Sequence, residues 1–255
     1  MNAIKFFFSV CCCCLGVMLL AAPAHTHRVA HPAAACAASL NSCPPEGCGG
    51  GDPKLNVKKN RTDAPAETPE SWTFDEILHL EAERPSQWSE GQDRTEVEEL
   101  GEDTPIMLSG YLLGAHAGGA ETCNCKLSGA ENNDIHINIV QNRTDKITDS
   151  IVTEMTPRTR ASHSGWDRAQ DVFDQLTANG RRPYVRVTGY LLFDSEHVSR
   201  SGGPRATIWE VHPITAFDVC SSTTAAVCDK GNSWTALEKW MPSSGSANSN
   251  KKGNK

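Results

Sequence analysis

The sequence is short of positive charge. Lys and Arg number 24 against 31 Asp and Glu, a formal net charge of −7. A general electrostatic grip on nucleic acid comes from Lys and Arg neutralising phosphates, so this balance argues against nucleic acid as a partner. A small molecule, a glycan or a protein is the expected partner, most easily one that is neutral or cationic. Aromatic residues are only 6% of the chain, with three tyrosines, which is little for the stacking platforms that single-strand binders interleave with basic residues. The best basic cluster of the C-terminal half is Arg181-Arg182 with Arg186. No short motif of the HExxH kind is present to fix a reaction. Large aliphatic and aromatic residues are also sparse between the N-terminal leader and Thr104. The length of 255 residues therefore overstates the folded portion, and one domain of ordinary size is expected.

Long apolar runs are missing too, with one exception. Lys5 ends a short positive region, Phe6 to Ala22 is nearly all apolar, and Ala22-Pro23-Ala24 has the small-residue pattern of a cleavage site. The run falls just short of the roughly 20 residues a membrane-spanning helix needs. Residues 1–24 are thus expected to be a signal peptide, with a mature chain beginning near His25 in the periplasm or outside the cell. Ala33-Ala34-Ala35-Cys36 loosely resembles a lipoprotein processing site, but it lies beyond the apolar run and lacks a large aliphatic residue three positions before the cysteine. Lipidation of Cys36 is the one membrane contact the sequence offers, and it is not favoured.

Cysteine usage agrees with export. Of eleven cysteines, Cys11 to Cys14 leave with the leader, and the other seven stand at Cys36, Cys43, Cys48, Cys123, Cys125, Cys220 and Cys228. An odd number cannot pair completely within one chain. Cys220 and Cys228 flank a Ser/Thr/Ala loop and suit a local bridge. Cys123 and Cys125 are too close to bridge each other comfortably, so one of them should reach a distant partner. A metal role for this pair is the alternative, but in an oxidising compartment a disulfide is favoured.

Residues 25–71 read as a flexible tether: Ala33 to Asp52 is rich in Ala, Pro and Gly, and Pro53 to Glu70 is polar, with Lys58-Lys59-Asn60-Arg61. A lead-in over 72–103 opens with Thr73-Phe74-Asp75-Glu76, which has capping-box spacing before Ile77, Leu78 and Leu80. The extension over 221–255 has no apolar pattern after Pro242 and is expected to be mostly disordered there.

Residues 104–220 differ from all of this. Ile106 to His116 is apolar, Asp134 to Val140 alternates with Ile135, Ile137 and Ile139 on one face, and Ile151 to Met155 continues the pattern, giving three strands. Ser164 to Asn179 switches to helical spacing, with Trp166, Ala169, Val172, Phe173 and Leu176 on one side and Gly180 as its C-terminal cap. Two longer strands follow, near Tyr184 to Asp194 and Ala206 to Val219. Three strands, a helix and two strands is the order of the OB-fold, a five-stranded partly closed barrel. The expected class is therefore mainly β with one helix and OB-like, an open α+β sandwich being the rival. Gly110 and Gly189 favour the barrel, because glycine within a strand marks a sharp bend.

Five segments carry a resemblance: Glu121-Thr-Cys-Asn-Cys125, Asp134-Ile-His136, Glu154-Met-Thr-Pro-Arg158, Val187 through His197, and Trp209-Glu-Val-His-Pro213. Together they resemble a group of exported bacterial proteins with an OB-like domain. The resemblance spans about half the chain and brings no established activity with it.

Alternation along the strands places the polar positions. If the three isoleucines point inward, Asp134, His136 and Asn138 point outward. Glu154, Thr156 and Arg158 then share one side of the third strand, and Glu210 and His212 one side of the fifth. The OB resemblance implies that the second, third and fifth strands adjoin, so these groups would converge on one outer patch, rimmed by Asp194, Glu196 and His197. That patch is the candidate ligand-binding surface. Two histidines and a carboxylate, His136, His212 and Glu154, are also a common ligand set for a catalytic zinc. On that alternative a divalent metal is the cofactor, Arg158 stabilises developing negative charge, and the protein is a phosphodiesterase or esterase. A hydrogen-bonded Glu-His-Arg network holding the strands in register is the reading without a ligand. Trp209 and Phe193 follow the alternation of Val211 and Leu191 and are expected in the core.

Overall fold

The computed structural model describes residues 35–198, 203–222, 224–231 and 233–240. The leader and the tail beyond Pro242 lie outside these residues. Seven strands are present: β1 (Glu70–Trp72), β2 (Pro105–Ala117), β3 (Ile135–Val140), β4 (Ile151–Met155), β5 (Tyr184–Phe193), β6 (Trp209–Cys220) and β7 (Trp234–Ala236). The helices are α1 (Pro53–Lys59), α2 (Phe74–Glu83), α3 (Thr95–Glu99), α4 (Pro157–Ser162), α5 (Ala169–Thr177) and α6 (Ala225–Cys228).

β2 to β6 form a five-stranded barrel in the order β2-β3-β4-β6-β5, and β5 pairs again with β2. The barrel is closed, which removes the open sandwich. Closure comes from the length of β2. Its first half, Pro105 to Tyr111, runs antiparallel to β5, while Tyr111 to Ala117 runs antiparallel to β3. The strand changes neighbour at the bend around Gly110, where a Cβ would sit 2.6 Å from Ile139 Cγ2 and 2.8 Å from the Val140 carbonyl oxygen. Gly189 serves the second tight approach, since a Cβ there would lie 2.5 Å from the Pro213 carbonyl oxygen. β4 and β6 run parallel, with Thr153 opposite Val211.

Ile137, Ile139, Leu108, Val187, Leu191 and Val211 fill the interior, and Phe193 and Trp209 are fully buried there with ring centroids 5.2 Å apart. Burying such a side chain contributes about 1.5–3 kcal/mol. The expected helix is a 3₁₀ turn, Trp166–Arg168, running into α5, with Trp166, Ala169, Val172, Phe173 and Leu176 all buried. Phe173 meets Phe217 edge-on at 5.0 Å, so the helix packs its apolar side on the barrel. Thr73 and Glu76 form the expected capping box of α2.

Residues 35–61, read in the sequence as tether, are laid on the barrel. Cys43 bridges to Cys125 and Cys36 to Cys48. Asp52 caps α1 by accepting from the Lys54 and Leu55 amides, and Leu55 is fully buried. The Asn60 amide donates to the Pro45 and Cys123 carbonyls, and Arg158 donates to the Cys43 carbonyl. Disulfides and polar bonds, not an apolar stripe, hold this strap, and hydrophobic patterning has no signal for them. The bond to Cys48 occupies the Cys36 sulfur. Cys220 and Cys228 form the local bridge, β7 pairs with β6, and among the described residues Cys123 is the free cysteine. No helix of the described residues is long and apolar enough to cross a membrane.

Candidate functional site

Strand register builds the site. His136 on β3 lies directly across from Glu154 on β4, and the parallel neighbour β6 brings Glu210 and His212 alongside. Asp134 closes the group from the turn before β3. Glu154 is the hub: its Oε2 lies 3.2 Å from His212 Nδ1 and 3.6 Å from His136 Nε2. His212 Nε2 lies 3.5 Å from Asp134 Oδ2, and His212 Nδ1 3.5 Å from Glu210 Oε2. On the outward side His136 Nε2 approaches Glu121 Oε1 at 3.3 Å, and Lys59 of the strap lies 3.5 Å from Glu121 Oε2. Glu210 continues through Arg205 to Asp194, which pairs with His197.

Three features differ from the surface patch read from alternation. First, the outward side is not exposed: Asp134, Glu210 and His212 are 0% exposed and Glu154 2%, and Lys59 of the strap is buried against them. Second, Arg158 is elsewhere. β4 ends at Met155, Thr156 caps α4, and Arg158 on that helix holds Asn60 and the Cys43 carbonyl, so it is a fastening for the strap. Third, Glu196 lines a concavity of about 550 Å³ with Asp52, Trp88, Glu90 and Glu121. Asp134, His136, Glu154, Glu210 and His212 do come together, and Asp194 and His197 join them through Arg205. Lys59, Glu121, Arg205 and Asn124, whose amide donates to Asp134 Oδ1 at 2.8 Å, were not among the candidates. Glu121 belongs to one of the five quoted segments, whereas Lys59 sat in a run read as solvated tether.

Burial sets the charge states. It pushes the Glu154 carboxyl up to about 7, aided by Glu210 and opposed by the two histidines. Glu154 in turn raises His136 to about 10, with Glu121 adding to it. Burial raises Asp134, and Glu121 reinforces this. Burial opposes the charged form of Glu121 as well, but Lys59 and His136 overcome it and hold that carboxyl well below the usual range. Burial and the carboxylates of Asp134 and Glu121 push the Cys123 thiol well up, so it stays protonated and unreactive.

The interior of the cluster is under-satisfied. Asp134 Oδ2, Glu154 Oε2 and His212 Nε2 are buried without a hydrogen-bond partner, close to their neighbours but out of line with them. Ligand atoms of these three residues lie within 4.8 Å of one another. Leaving a buried polar atom unpaired costs about 1–3 kcal/mol, so three in one cluster require a reason.

Fold and site together define an OB-like barrel with a buried carboxylate–imidazole cluster between β3, β4 and β6. No family model matches the chain, and no curated relative matches it. Among solved structures it is similar to that of yeast Stn1 and Ten1, at 14% identity and a TM-score of 0.33, over 70% of this chain and 75% of that one. This is a likeness of fold outline only. The exclusion of nucleic acid drawn from net charge is corrected by how the charge is distributed. Net charge averages over the whole chain, whereas Arg143, Arg182 and Arg186 gather beside Tyr111, Tyr184 and Trp234.

Proposed function

We propose that the protein is an exported OB-like binding module whose buried cluster holds a divalent transition metal, with Asp134, Glu154 and His212 as ligands and His136 at the entrance. The observation that carries this is that three neighbouring buried residues each hold an unpaired polar atom and each offer a ligand atom within 4.8 Å of the others. A hydrogen-bonded network would account for the histidines and carboxylates but leaves those three atoms unpaired. Imidazole with carboxylate suits zinc and its neighbours in the first transition row. Closed burial favours a held ion, because a catalytic zinc keeps an open position for water. The hydrolase reading finds no such position here and no arginine at the site other than Arg205, which Glu210 and Asp194 occupy. Export is supported by the three disulfides and the leader-like N-terminus.

Metal content by mass spectrometry of the purified disulfide-intact protein tests this reading, with His212→Ala and Glu154→Gln alongside. About one equivalent of a transition metal, lost from both variants, is expected. Stripping with a chelator should lower the melting temperature, and zinc should restore it, since an ion at a hundred times its Kd stabilises by about 2.7 kcal/mol. A metal-free protein whose melting temperature ignores added zinc, cobalt and manganese would leave the network reading in place.

A further inference from the structure

A second grouping lies at the opposite end of β3 from His136, where Val140 pairs with Tyr111. Tyr111 on β2 is in register with Tyr184 on β5, and their ring centroids are 5.1 Å apart. Tyr184 lies 5.8 Å from Trp234 on β7, with the two rings 28° from parallel. The guanidinium of Arg143 sits 5.3 Å from the Tyr111 ring centroid, and that of Arg186 sits 4.8 Å from the Trp234 ring centroid. The result is a half-exposed row of three aromatic side chains with an arginine at each end. Tyr184, Arg186 and Trp234 also line a groove of about 420 Å³ together with Trp72, Ser109 and Gln141.

The row carries one carboxylate, Asp229, which accepts from the Tyr184 hydroxyl at 3.0 Å, and several arginines. Arg186 is neutralised by Asp218 at 2.7 Å. Arg143, Arg181 and Arg182 make no ion pair with a carboxylate among the described residues. Arg182 donates to the Arg143 and Asp145 carbonyls at 2.6 Å, and Arg181 to the Ala178 carbonyl at 3.1 Å. These contacts orient the two side chains and leave their charge uncompensated. In a chain of net charge −7, two such guanidinia beside an aromatic row, Arg143 over Tyr111 and Arg182 bonded to the Arg143 carbonyl, are a local exception.

We propose that this row is a binding face for single-stranded nucleic acid, with bases against Tyr111, Tyr184 and Trp234 and phosphates at Arg143 and Arg182. A single strand offers flat apolar faces and negative charge at regular intervals, and the row offers the matching partners side by side. A duplex hides its base faces, and an anionic polymer without bases would engage the arginines alone. The usual ligand surface of OB barrels centres on the second and third barrel strands. This face lies on the first and fourth together with β7, so it is independent of the metal site. The Cys220–Cys228 bridge ties the segment leading to β7 and so helps to place Trp234.

Fluorescence anisotropy of a labelled oligothymidylate titrated with the full, disulfide-intact chain at several salt concentrations tests the proposal. Saturable binding that weakens linearly with log salt is expected. Tyr184→Ala and Trp234→Ala should each weaken it about tenfold. Arg143→Ala with Arg182→Ala should flatten the salt slope by about 1.4, the value for two phosphate contacts on a single strand. Trp234→Phe keeps an aromatic face and should retain most of the affinity, which separates a lost platform from a lost fold. Absence of binding at low salt to oligothymidylate, oligoadenylate and oligouridylate would overturn the proposal. So would binding that the arginine changes abolish and the aromatic changes leave intact, or tighter binding to heparin or to duplex than to the single strand.

Discussion

Glu154 and Tyr184 have ordinary sequence neighbours and unusual surroundings. Strand periodicity pairs Glu154 with His136, but its burial follows from what lies over it. Tyr184 makes the same point in a measurable way. Burial, with its hydrogen bond to Asp229, pushes the Tyr184 phenol up to about 12. An unfolded chain ionises its tyrosines near the ordinary value of about 10. Between those values the folded form binds the proton more tightly, so the contribution of Tyr184 to stability is complete below pH 10 and is lost as pH rises towards 12. A phenolate absorbance titration of the folded protein should show a late step near 12 that Tyr184→Phe removes. A curve with all three tyrosines ionised by pH 11 would contradict this placement.

Elements fall into two groups by how they are specified. Strands β2 to β6, α2 and α5 were legible because each carries its own signal: alternation, a capping box, or an apolar stripe at helical spacing. The strap and α4 were not. Residues 35–61 are poor in large apolar groups and are held by bonds to distant partners, and the third strand stops one residue before Thr156, whose side chain caps α4 instead. The strap depends most on the bridge between Cys43 and Cys125, a sequence separation of 82. Replacing both cysteines with serine is expected to cost about 2–5 kcal/mol in chemical denaturation. It should also make the segment around α1 the first site of limited proteolysis. Unchanged stability would mean that the polar contacts of Asn60 and Arg158 suffice on their own.

For the whole molecule, the strap and the barrel share one polar interior. Lys59 belongs to the strap, its nearest carboxylate Glu121 to the loop after β2, and the remaining groups to three barrel strands and the turn before β3. Exposing the cluster would leave its carboxylates without that cation, so the strap and the barrel should unfold together. Coincident thermal transitions by backbone circular dichroism and tryptophan fluorescence are expected for the oxidised protein. An early, separate transition would show the strap to be an independent appendage.

Local chemistry determined a great deal. The order of strands and helix, the inward isoleucines, the glycines at the two tight approaches and the local Cys220–Cys228 bridge can each be read from a few neighbouring residues, because periodicity, backbone freedom and short loops are short-range properties. Sequence alternation also brought Asp134, His136, Glu154, Glu210 and His212 to one side of adjoining strands. Only the tertiary structure decided that this side is interior, that Lys59 and Glu121 join it, and that Arg158 does not. The reason is burial itself: an outward-facing side chain becomes a core group only when a covalently fastened segment from far along the chain excludes its water, and periodicity along a strand carries no record of that segment.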